Sequence, residues 1–198
     1  MIQIRRNVFE TNSSSTHSLA IPKGLNAEKY KGRSISFCIG EFGWEFAEQN
    51  PADYLYTAIY DCYYNDEEEI NNKIQKLKDT LNKYGIHYDL GDVTLTKEVS
   101  SYDGKQHVYL ENGYIDHGGE LREFLDAVFA SDDTLLGFIF EGLVFTGNDN
   151  CCRGEEGQVF PQMPYLYDYD FKTSKEIETS NPYYLSNADE FDWYVKGN

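Results

Sequence analysis

The sequence predicts an α+β fold, a mainly antiparallel sheet with about three helices packed on it. Three observations predict it. Short segments with alternating apolar residues are joined by turn-rich connections, as in hairpins. Stretches with helical spacing open on start signals, a cap at Asn50-Pro51 and an acidic first turn beginning at Asn65 or Asp66. No regular strand–helix–strand alternation runs along the chain, which argues against a parallel α/β sheet. A length of 198 residues suits one domain with a proper core. We expect that core over residues 1–150. Residues 151–198 should form a loop and an acidic, aromatic segment packing on it.

Taken in order, Ile2–Phe9 reads as a strand, and His17–Ile21 as its hairpin partner. Ser34–Ile39 is a third strand, with Ile35, Phe37 and Ile39 alternating. Pro51 fits the first position of a helix capped by Asn50, and Tyr54, Leu55, Ala58, Ile59 and Cys62 form its apolar face. The run DEEE opens a second helix, where negative charge meets the positive end of the helix dipole. Ile70, Ile74, Leu77, Leu81 and Tyr84 give that helix a narrow stripe, and Gly85 ends it. Strands resume at Ile86–Leu90, Val93–Val99 and His107–Leu110, with Asp103-Gly104 at a hairpin tip, and at Tyr114-Ile115. A third helix spans Gly119–Ala130. Thr134–Phe140 and Leu143–Phe145 are nearly continuous apolar runs, expected as buried central strands. Asn148–Pro164 reads as a long loop and Tyr165–Phe171 as a strand with one aromatic face. The tail is expected irregular, or with a short helix near Ala188–Tyr194.

The chain carries 17 basic and 34 acidic residues, a net charge of −17. Such a chain repels phosphate backbones and acidic membrane surfaces, so direct nucleic-acid or membrane binding is not expected. Basic protein surfaces attract it. The opening MIQIRRNVF has no apolar run of signal-peptide kind, and no stretch approaches the length of a membrane span. The expected setting is cytoplasmic, with Cys38, Cys62, Cys151 and Cys152 all free. There are 17 tyrosines, many beside acids, as in YLYDYDF and DEFDWY. Tyrosine fills cores and is also enriched at interfaces.

Three polar knots are candidates for chemistry. In TNSSSTHS, Ser15 and His17 are two apart and share a face of a strand. The knot reads as a turn satisfied by its own side chains, as a loop holding a ligand with Asn12, Ser13, Ser14 and Ser15, or as a nucleophile with its base. On the turn reading its hydroxyls bond main-chain groups, and His17 bonds a hydroxyl or a downstream knot. In YIDHGG, Asp116 and His117 are adjacent and converge only if Gly118-Gly119 breaks the strand. In VFTGNDN, Asn148 and Asp149 follow an apolar strand that would hold them rigidly. The catalytic candidates are therefore His17, Asp116, His117 and Asp149. No Walker loop, GxGxxG, HExxH or EF-hand loop is present, so no cofactor and no metal is expected.

The string RRNVFETNSSSTHSL, with GYIDHGG and FTGNDN downstream, resembles an uncharacterised family of small proteins from phages and Firmicutes-type bacteria. The resemblance implies a phage or mobile-element setting and a shared site at Asn12, Ser13, Ser14, Ser15, His17, Asp116, His117, Asn148 and Asp149. It implies no reaction.

Two functions follow as expectations. In the first, the protein binds the basic surface of a host nucleic-acid-acting protein, such as a defence nuclease, as an inhibitor or nucleic-acid mimic. Asp168, Asp170, Asp189, Glu190 and Asp192 would imitate phosphates, and tyrosine rings would supply contact area. In the second, it is a small enzyme or ligand-binding protein whose three knots meet in one polar site.

Overall fold

A computed structural model of the chain describes residues 15–43, 47–116, 118–148, 161–170 and 172–196. Its centre is a four-stranded antiparallel sheet. β1 (Ser15–Pro22) pairs on one edge with β12 (Phe191–Lys196) and on the other with β9 (Leu143–Asn148), which in turn pairs with β4 (Ala47–Gln49). The strand expected over Ile2–Phe9 lies outside the described residues. The hairpin expected between it and β1 is not the pairing observed along His17–Ala20. A strand has two edges, and both are taken there.

Two short parallel pairs complete the helix-facing side. β2 (Ser34–Phe37) runs parallel to β5 (His87–Leu90), and β3 (Glu41–Phe42) runs parallel to β8 (Tyr114–Ile115). A parallel pair needs a long crossover. Between β2 and β5 it is supplied by α1 (Pro51–Cys62) and α2 (Glu67–Lys83). Two hairpins, β6–β7 (Leu95–Val99 with Gln106–Leu110) and β10–β11 (Tyr165–Asp170 with Lys175–Ser180), make separate two-stranded sheets. The fold is thus α+β with mainly antiparallel pairing.

The Asn50 cap forms as expected, and Asp66 proves to be the cap of α2. The Asn50 side chain accepts from the Ala52 and Asp53 amides, and Asp66 accepts from Glu69. Gly85 sits at φ 61°, the left-handed conformation that only glycine adopts without strain. α1 is the hub of the core: Tyr54, Leu55, Ala58, Ile59 and Cys62 are each fully buried.

The segment expected as a strand at Thr134–Phe140 is instead a helix, α4 (Asp132–Glu141), following α3 (Arg122–Val128). Four α-helices are therefore seen among the described residues. Ser131 and Thr134 form a capping box, and Asp132 and Asp133 occupy the first turn. Leu135–Ile139 are all buried. A helix apolar on every side has no amphipathic period to reveal it, so its run resembles a buried strand. Gly137 lets α4 approach the loop at Leu25, because a Cβ there would overlap the leucine side chain. The Asp133 carboxylate accepts from the Ala27 amide at 2.7 Å and locks that contact.

The tail also departs from expectation. Only Ala188–Glu190 make a single 3₁₀ turn, and the next six residues form edge strand β12. Trp193 donates from Nε1 to the Ala188 carbonyl at 2.9 Å, tying turn to strand. Phe124 and Tyr194 meet edge to face at 5.5 Å, joining the tail to α3.

Candidate functional site

Alternation along β1 places Ser15, His17, Leu19 and Ile21 on one face. Leu19 and Ile21 join the helix-packed core, so Ser15 and His17 point the same way, toward α1. The imidazole of His17 is fully buried, and its Nδ1 lies 2.7 Å from the hydroxyl of Tyr54 on α1. The two rings also meet edge to face, with centroids 5.8 Å apart. The helix thus supplies a hydroxyl to His17.

The described residues of the three knots come together at this end of the sheet. Ser15 Oγ donates to the main-chain carbonyl of Asp116 at 3.5 Å. Ser15 stands opposite Asn148 in the β1–β9 register, and His17 stands opposite Thr146. Thr146 is fully buried, and its hydroxyl accepts from Gln49 Nε2 at 3.1 Å. His17 and Asp116 are therefore at the same end of the sheet, linked through Ser15. Asn12, Ser13, Ser14, His117 and Asp149 lie outside the described residues.

Sequence reasoning missed the carboxylate that completes the arrangement. Tyr54 and Asp61 are seven residues apart on α1, two turns along one face. Asp61 Oδ2 accepts the Ile115 amide at 3.3 Å. Burial pushes the Asp61 carboxyl up to about 6; the Ile115 hydrogen bond opposes the shift, and the nearby Asp116 charge adds to it. Gly118 passes so close that any Cβ would overlap Asp61 Oδ2. The turn after β8 therefore closes over the carboxyl only because residue 118 is glycine. Burial raises the Tyr54 phenol well above its ordinary range, with the Asp61 charge adding to it. The phenol stays protonated and either donates to a bare Nδ1 of His17 or accepts from Nδ1–H.

Cys62, next along α1, is fully buried. Burial pushes its thiol up to about 11, although the Arg122 guanidinium pulls the other way. Among the described residues no group of three or more His, Cys, Asp or Glu side chains could hold a metal ion.

The acidic residues of the tail lie elsewhere. Asp189, Glu190 and Asp192 are exposed at the β12 edge. Lys23 sits among them, 3.4 Å from the Asp192 carboxylate and donating to the Asp189 carbonyl at 3.2 Å. Asp168 and Asp170 are alternate positions of β10, opposite Ile177 and Lys175. No helix among the described residues is long and apolar enough to cross a membrane.

No protein-family model, no curated protein and no solved structure matches the chain.

Proposed function

We propose that the protein binds a small polar ligand at the end of the central sheet and exchanges a proton with it through Asp61. One observation carries this reading. Ser15 reaches the Asp116 carbonyl from 101 residues away, and the same turn sets the Ile115 amide on Asp61, a half-buried carboxyl pushed up to about 6. A carboxyl in that range both gives and takes a proton near neutrality, which suits general acid–base work. The buried His17–Tyr54 pair holds the floor of the site. Two carboxylates, Asp61 and Asp116, stand among its described members, Ser15, His17, Tyr54, Asp61, Asp116 and Thr146. Those carboxylates and the net charge of −17 favour a neutral or cationic ligand over a phosphate.

The test is a thermal-shift screen of nucleosides, sugars, amino acids and polyamines, with inorganic phosphate as control. The reading predicts a neutral or cationic compound that stabilises the wild type and not Asp61→Asn. Stabilisation by phosphate alone, or equal stabilisation of both proteins, contradicts it.

A second reading has its own observation, the net charge of −17 with Asp189, Glu190 and Asp192 exposed together. Here the protein occupies the basic groove of a host nuclease or another nucleic-acid-acting complex, with Asp168 and Asp170 extending the acidic surface. Native-gel titration against such nucleases at low and high salt tests it. Binding that weakens with salt and is lost in Asp189→Asn/Glu190→Gln/Asp192→Asn supports this reading; binding indifferent to salt contradicts it.

A further inference from the structure

The β6–β7 hairpin carries a second constellation, apart from the sheet-end site. Asp103, at its tip, lies with Oδ2 3.1 Å from His107 Nε2. The other ring nitrogen, His107 Nδ1, lies 3.3 Å from the hydroxyl of Tyr109. A carboxylate, an imidazole and a hydroxyl are thus joined in series. This is the arrangement in which a base activates a nucleophile and a third group orients the base.

The parts are held. Asp103 Oδ1 accepts the Lys105 amide at 3.0 Å, which fixes the carboxylate at the turn. That hydrogen bond is the main reason its carboxyl is pulled down to about 2, so it stays ionised. The Tyr64 ring packs edge-on against His107, with centroids 5.6 Å apart, and nearly parallel to Tyr109 at 6.1 Å. The Val108 amide donates to the Tyr64 carbonyl, so the hairpin is pinned to the segment after α1. The His107 side chain is 13% exposed, whereas Tyr109 is 39% exposed and open to a reagent.

We propose that Tyr109 is a nucleophilic site for activated acyl esters, with His107 as its general base and Asp103 as the positioning residue. With the ionised Asp103 accepting from Nε2–H, the neutral imidazole presents a bare Nδ1 to the phenol. The Tyr109 oxygen bonds to the ester carbonyl carbon and its proton passes to Nδ1. The bond from that carbon to the leaving alkoxide or phenolate breaks. The imidazolium rests against Asp103 until it returns its proton to water.

The experiment treats the full chain with 4-nitrophenyl acetate and follows each tyrosine by peptide mass spectrometry. Tyr102, 99% exposed on the same hairpin and without a base, is the internal reference. Tyr109 is expected to acetylate at least about tenfold faster than Tyr102, a conservative share of what a positioned base supplies. His107→Gln should bring the two rates together. Asp103→Asn should do the same: its oxygen still accepts from Lys105, but its amide donates to Nε2 and moves the ring proton to Nδ1. The Tyr102 rate and the far-ultraviolet circular dichroism report that the hairpin is intact. Tyr109 reacting no faster than Tyr102 overturns the proposal. So does an acetyl group found on His107, or a Tyr109-to-Tyr102 ratio unchanged in both variants.

Discussion

His17 on β1 and Tyr54 on α1 are bonded side chain to side chain at 2.7 Å, and both are fully buried. This contact pins the sheet to the hub helix at the floor of the polar site. Tyr54→Phe removes the hydroxyl and leaves a buried imidazole nitrogen without it. The expected loss is about 1–3 kcal/mol, the cost of an unsatisfied buried group. Denaturant unfolding measures it, and a double-mutant cycle with His17→Leu should give a coupling of about 1 kcal/mol or more. A Tyr54→Phe variant as stable as wild type would show that the pair holds nothing.

Asp61 makes stability fall as pH rises. Its carboxyl titrates at about 6 in the folded chain, against 3.8 ordinarily. Below pH 3.8 it is protonated in both states and contributes no difference. Between those values the unfolded state ionises first, so folding loses ground. Above 6 the full penalty is present, about 3 kcal/mol at most. Asp61→Asn removes it. The variant should match wild type near pH 4 and exceed it near pH 8, as followed by thermal unfolding. Parallel pH curves would contradict the burial of Asp61.

Gly118→Ala should destabilise by about 1–3 kcal/mol, the range for overpacking a filled site. The new methyl group meets the Asp61 carboxylate. Adding Asp61→Ala should recover most of that loss. If the two substitutions are simply additive, the contact between the turn and Asp61 is not the cause.

The capping box of α4 predicts a simpler loss. Ser131 Oγ accepts from the Thr134 amide at 3.1 Å. Ser131→Ala should cost about 1 kcal/mol in urea unfolding. Ser131→Asp, which retains a capping oxygen, should cost less.

Some of this was legible in the sequence because it is local. Asn50-Pro51 announces its helix through neighbouring amides, the DEEE run marks the start of the second, and Ser15 and His17 share a face through strand alternation alone. α4 was hidden because burial on all sides erased its period, leaving the Ser131–Thr134 cap and the acidic first turn, Asp132 and Asp133, as signals. β12 was hidden because its partner, β1, lies more than 150 residues earlier. Asp61 lies next to Cys62 on α1 with nothing in the sequence to single it out. Its chemistry comes from the turn at Ile115–Gly118 folding over it, and no spacing along α1 reveals that.

The central claim is that Asp61 and the turn bearing Asp116 form one half-buried acid–base site. The most direct measurement is the carbon-13 resonance of the Asp61 side-chain carboxyl, followed against pH in wild type and in Asp116→Asn. The account predicts a midpoint of about 6 in wild type, and a lower one once the neighbouring charge is removed. A midpoint near the ordinary 3.8 that does not respond to Asp116→Asn would contradict it.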